Sequence, residues 1–168
     1  MKKILFALLI LLSPIYSQDK NKLVTDERSG KPMLIGICDK TAMLDSNFAW
    51  WYEPEYDNYE FNTAALDSIK QKLDGLSILI ITGTWCSDSR REVPRFLRIL
   101  DELKFNNNLL TINFVDRKKD SPDGNIASLE IKYVPTFIFY INGKELGRII
   151  ETPKTTLEND FNKILHNL

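Results

Sequence analysis

Apolar positions along this chain fall into two kinds of run, and their alternation predicts an α/β architecture. Ile78, Leu79, Ile80 and Ile81 form a short, unbroken, β-branched run, the pattern of a strand covered on both faces. From Ser87 onward the period changes. Val93, Phe96, Leu97, Leu100 and Leu103 recur every three or four residues among charged ones, which predicts a helix with one buried stripe. Residues 109–115 read as a second central strand. Residues 137–141 and 144–150 are two β-rich runs joined by Asn142-Gly143, a strong hairpin signal. Upstream, 33–37 predicts a short strand, and Leu66, Ile69 and Leu73 share one stripe of a helix over 64–73, capped by Thr63 and ended by Asp74-Gly75. A short helix over 126–131 and a closing helix containing Leu157, Phe161, Ile164 and Leu165, capped by Thr155 or Thr156, complete the pattern. After residue 76 the order βαβαββα predicts a central mixed sheet with helices on both faces.

The first seventeen of the 168 residues break this pattern in the order of an export signal. Lys2 and Lys3 precede a nine-residue apolar core over 4–12, and a small residue, Ser17, follows. The core is too short to span a bilayer, where about 20 residues are needed. Cleavage after Ser17 would leave Gln18 first, with no stable membrane insertion, and an exported location, periplasmic or secreted, is expected. An uncleaved anchor or a buried strand is the alternative. Loss of the two lysines leaves 20 basic against 23 acidic groups, a formal charge of −3, and no nucleic-acid footprint is visible. The division expected is 1–17 as signal, 18–62 as N-terminal extension and 63–168 as the main domain. Within the extension, residues 48–61 hold seven aromatics, Phe48, Trp50, Trp51, Tyr52, Tyr56, Tyr59 and Phe61, with Pro54 limiting any helix. Such a run packs an extra element over the sheet more often than it forms a substrate platform.

Candidate chemistry concentrates at Trp85-Cys86-Ser87-Asp88-Ser89. Cys86 stands at a strand-to-helix junction, where unpaired amides and the positive end of the helix dipole stabilise a thiolate. Asp88 opposes ionisation there, while Arg90 and Arg91 favour it. A buried structural cysteine is the bland alternative.

With Pro94 eight residues past Cys86, and Val134-Pro135-Thr136 ahead of the hairpin, the chain resembles the thioredoxin superfamily from residue 76 to 168. That resemblance implies a thioredoxin-like α/β fold, a central mixed sheet flanked by helices, with an N-terminal extension here. It also implies thiol-disulfide exchange with protein thiols or disulfides, helped by an external reductant. Cys86 would be the nucleophile, Pro135 a cis-proline, and Trp85, Val134, Pro135 and Thr136 the substrate-facing residues. Two departures matter. The second cysteine of the family's motif is replaced by Ser89, so cycling within the motif is excluded, and the family's buried acid falls at Ile80. Ser89 is then either a plain helix residue or a donor to the Cys86 thiolate.

Cys38 is the remaining sulfur. It is expected to be an unpaired buried thiol, a distant resolving partner for Cys86, or half of a structural Cys38-Cys86 bridge, the last needing Cα atoms within about 7 Å. Neither a metal nor an organic cofactor is expected: His166 is the lone histidine, and Asp116, Asp120 and Asp123 lack calcium-loop spacing. A peroxidase fits less well, since Gly83 stands where such motifs carry a hydroxyl. The competing class is a binding or folding-assistance module that keeps the fold without the chemistry.

Overall fold

A computed structural model describes residues 20–166 of the chain, so the expected export signal lies outside the described residues. The apolar run becomes β4 of the chain, Leu76–Thr82, extended by two residues on one side and one on the other. Numbered in chain order, the strands are β1 (Leu23–Thr25), β2 (Pro32–Leu34), β3 (Gly36–Cys38), β4, β5 (Leu110–Phe114), β6 (Thr136–Ile141) and β7 (Lys144–Ile150). β4 lies at the centre of a five-stranded sheet of order β3-β5-β4-β6-β7, parallel to β5, while the other neighbouring strands run antiparallel. The Asn142-Gly143 turn has φ of +50° and +77°, the left-handed pair that a two-residue hairpin demands.

Register sorts the strand side chains onto two faces. Ile80 stands opposite Ile112 on one side and Phe137 on the other, and this face carries Cys38, Ile78 and Phe139 as well. The four α-helices among the described residues all feed that one core: α1 (Ala49–Asp57), α2 (Thr63–Lys70), α3 (Ser87–Glu102) and α4 (Leu157–Leu165). The five-residue stripe predicted for α3 is buried throughout. Phe96 anchors it, with its ring centroid 4.6 Å from that of Phe137 and 5.7 Å from that of Phe161. The opposite face differs from expectation. No α-helix covers it among the described residues; a single 3₁₀ turn, Ile126–Leu129, does so, packing Ile126 with Ile81, Val115 and Val134. Glu130, in the left-handed region, stops that turn from lengthening.

The segment expected as an extension is woven into the domain. β3 forms an edge of the central sheet, and β1 pairs with β2 in a separate hairpin. The strand foreseen over 33–37 is cut at Gly36, whose φ of +82° turns the chain between the two sheets. α1 does pass through Pro54, which has no N–H to return to the Trp50 carbonyl. Burial of Phe48, Trp51 and Tyr52 against α3 holds the helix across that gap, with Arg95 and Glu55 paired at 2.6 Å on the rim. The cap of α2 is Asn62 rather than Thr63: its side-chain oxygen accepts from the Ala65 amide.

Candidate active site

β4 ends at Thr82, and a tight turn closed by the Cys86 amide donating to the Gly83 carbonyl at 3.0 Å swings the chain into α3. Cys86 is the cap residue of that helix, in extended conformation, and its carbonyl accepts from the Arg90 amide at 3.1 Å. Its side chain is half-buried. The thiol donates to the Val134 carbonyl at 3.1 Å, a bond that exists only while the sulfur holds its proton. The Val134-Pro135 peptide bond is cis, and Thr136 fixes the loop by donating from Oγ1 to the Tyr133 carbonyl at 2.7 Å. Fold and register thus bring Cys86, Val134 and Pro135 together from positions 48 residues apart.

Trp85 is held by three contacts that the sequence pattern does not announce. Its indole lies over Gly83, where an added Cβ would sit 2.6 Å from Nε1. That nitrogen donates to the Val115 carbonyl at 2.9 Å, and the Arg117 guanidinium stands 5.1 Å from the ring centroid. Arg117 in turn grips Asp26 with two prongs, from Nε at 2.9 Å and from Nη2 at 2.8 Å. The hydrogen bonds from Arg117, then that from Ser29, hold the Asp26 carboxyl far below the usual carboxylate range despite its burial. Hydrogen bonding to Asp26 is also the main support of the Arg117 cation, and a negative charge on Cys86 would add to it. Asp26 and Arg117 are 91 residues apart, so no local signal could have paired them.

Ser89 departs from one of its two expectations. It is buried at 2% exposure, and its hydroxyl accepts from the Gly83 amide at 3.4 Å, bracing the turn, with no bond to the Cys86 sulfur. Asp88 is drawn to Arg91 at 2.9 Å, and Arg91 also pairs with Glu92 at 2.6 Å. Arg90 donates from Nε to the Thr84 carbonyl at 2.7 Å.

Cys38 is not brought to this site. It pairs in register with Ile112 of β5, so β5 lies between it and the strand leading to Cys86. Two strand spacings alone separate β3 from β4 by about 10 Å, beyond the ~7 Å a disulfide tolerates. Both cysteines are free, and the Cys38 sulfur is buried near the Ile35 carbonyl at 4.0 Å. Burial pushes its thiol up to about 11. The resolving and bridging roles considered for Cys38 therefore have no geometric support. Among the described residues no group of three or more His, Cys, Asp or Glu side chains gathers to hold a metal ion. The aromatic segment is mainly packing, but Trp50 stays 66% exposed beside Arg90.

A family model described as Thioredoxin matches residues 49–160. The thioredoxin of Oryctolagus cuniculus is 32% identical over 92 residues, covering 55% of this chain and 82% of its own. That of Homo sapiens is 26% identical over 106 residues, covering 63% and 95%. The crystal structure of mitochondrial thioredoxin 3 from Saccharomyces cerevisiae, in its oxidised form, superposes with a TM-score of 0.38 at 21% identity, covering 63% of this chain and 89% of that one.

Proposed function

This chain belongs to the thioredoxin family, and on that premise we propose that it performs thiol-disulfide exchange through Cys86 alone. Family membership supports redox chemistry on protein thiols or disulfides in general. The single-thiol form rests on one observation: the half-buried Cys86 sulfur meets the Val134 carbonyl at 3.1 Å, while the other free cysteine is buried two strands away.

In this mechanism the Cys86 S–H loses its proton and its bond to Val134, and the thiolate attacks one sulfur of a substrate disulfide. The substrate S–S bond breaks, a Cys86-substrate disulfide forms, and the second substrate sulfur leaves as thiolate. Release needs a sulfur from outside. A second substrate thiolate attacking the mixed disulfide rearranges the substrate with no net consumption of thiols; two external thiols reduce it and are themselves oxidised to a disulfide. Val134, Pro135 and Thr136 present the backbone wall against which the substrate segment would lie. Ser89 shapes the turn.

The test is reduction of a disulfide-bonded peptide by limiting dithiothreitol. Wild type should exceed the uncatalysed rate, and Cys86→Ser should fall to it; equal rates in the two proteins would favour a binding module instead. We also propose export, supported by Lys2, Lys3 and the apolar core over 4–12. A mature N-terminus at Gln18 is the expected product, and an intact Met1 on the purified native protein would contradict it.

A further inference from the structure

A cavity of about 300 Å³ opens between the β1–β2 hairpin turn, the start of α1 and the residues around Trp85. Three cations border it, Lys31, Arg90 and Arg117, against one carboxylate, Asp26, which Arg117 already engages. In a chain whose formal charge is −1, this is a local concentration of positive charge. Arg90 is the free donor. Its Nε bond to the Thr84 carbonyl fixes the guanidinium plane, Trp50 stands 5.7 Å from it, and its terminal nitrogens have no protein partner among the described residues. Thr84 supplies an independent sign: the residue is 4% exposed, lines the same cavity, and its Oγ1 hydroxyl has no hydrogen-bond partner. A buried hydroxyl left so is destabilising, a penalty that a bound acceptor would relieve.

A planar arginine with free terminal N–H groups beside an aromatic ring presents the fork that a carboxylate fits. The apolar flank of Trp50 suits the methylenes of a glutamate. A phosphate dianion is less suited, because the Asp26 carboxylate shares the lining. The cavity also lies close to the reacting sulfur. Arg90 is one helical turn from Cys86, about 6 Å along the axis, so one short peptide segment reaches both.

We propose that this cavity binds an acidic side chain of the polypeptide whose sulfur is presented to Cys86. The inference rests on the Cys86 reading for its purpose but not for its test, which is done in the Cys86→Ser protein, where no exchange can occur. The probe is acetyl-Gly-Ser-Glu-Glu-Gly-amide against its Gln-Gln counterpart, titrated by tryptophan fluorescence, since Trp50 and Trp85 line the cavity. The acidic peptide should bind about tenfold tighter, as loss of a charged hydrogen-bonded pair predicts. Arg90→Gln should abolish that preference and Arg90→Lys restore part of it. Lys31→Gln, at an exposed position that leaves the fold intact, should weaken acidic-peptide binding about two- to threefold. Equal affinity for the two peptides, a preference unmoved by Arg90→Gln in a protein of unchanged circular dichroism, or binding of glutarate or inorganic phosphate without binding of the peptide would overturn the proposal. A Cys86 that proves inert in exchange would end the redox reading while leaving the peptide preference to stand or fall by itself.

Discussion

Cys38 and Cys86 flank the same sheet and meet opposite surroundings. Cys38 sits on an edge strand with its sulfur turned into the face that the four described α-helices cover; the Ile35 carbonyl lies 4.0 Å from that sulfur, and burial raises its thiol to about 11. Cys86 stands where a central strand stops and a helix begins, half-buried, against the carbonyl of a loop from elsewhere in the chain. The difference arises from position in the fold. Inside the sheet a thiol is one more apolar group; at the strand-to-helix corner it is reachable and surrounded by groups that respond to charge.

Alkylation kinetics should show the contrast at its largest. At pH 8 a thiol near 11 is ionised in about one molecule in a thousand, and the Cys38 sulfur is buried besides, so iodoacetamide followed by peptide mass mapping should label half-buried Cys86 in the native protein at least about tenfold faster than Cys38. Comparable rates would erase the distinction.

Alkaline stability is the next largest effect. The Cys38 thiol is raised from its ordinary 9.0 to about 11, so the unfolded chain releases this proton first. The stabilisation tied to it is complete below pH 9 and is lost between pH 9 and 11, by up to about 3 kcal/mol. Urea unfolding should show wild type losing more stability across that window than Cys38→Ala. Buried Tyr52 and half-buried Tyr59, both raised chiefly by desolvation, contribute equally to both proteins and cancel in the difference.

Two substitutions probe what frames Cys86. Asp26→Asn removes the charge that Arg117 grips, and should cost about 2 kcal/mol in chemical unfolding. It should also loosen Arg117 from Trp85, visible as a change in tryptophan emission. Gly83→Ala places a methyl group against the Trp85 indole. Displacing that ring should cost about 1 kcal/mol and slow exchange at Cys86 while leaving Cys38 labelling unchanged.

What the sequence disclosed was whatever a short stretch of chain decides. The stripe of α3, the β4 run, the Asn142-Gly143 turn and the Thr156 cap each depend on neighbours within a few residues, and each appears where the pattern put it. Cys86 and the Val134-Pro135 segment were legible because both lie at junctions between such stretches. Long-range packing accounts for the misses. Pro54 is tolerated because three aromatics clamp its helix onto α3. Gly36 breaks a strand because its φ of +82° turns the chain under the Asp123 carboxylate, which accepts from the Ile37 amide and leaves no room for a Cβ. The fate of Cys38 depended on which face of an edge strand it occupied, and the Asp26-Arg117-Trp85 contacts join three distant segments.

The most direct measurement is intact mass after one equivalent of a disulfide-bonded peptide is added to the fully reduced protein without other thiols. The account predicts a peptide adduct mapped to Cys86, present equally in wild type and Cys38→Ser, and absent from Cys86→Ser. A wild-type product lighter by two hydrogen atoms, with Cys38 joined to Cys86, the peptide reduced and no adduct retained, would contradict it.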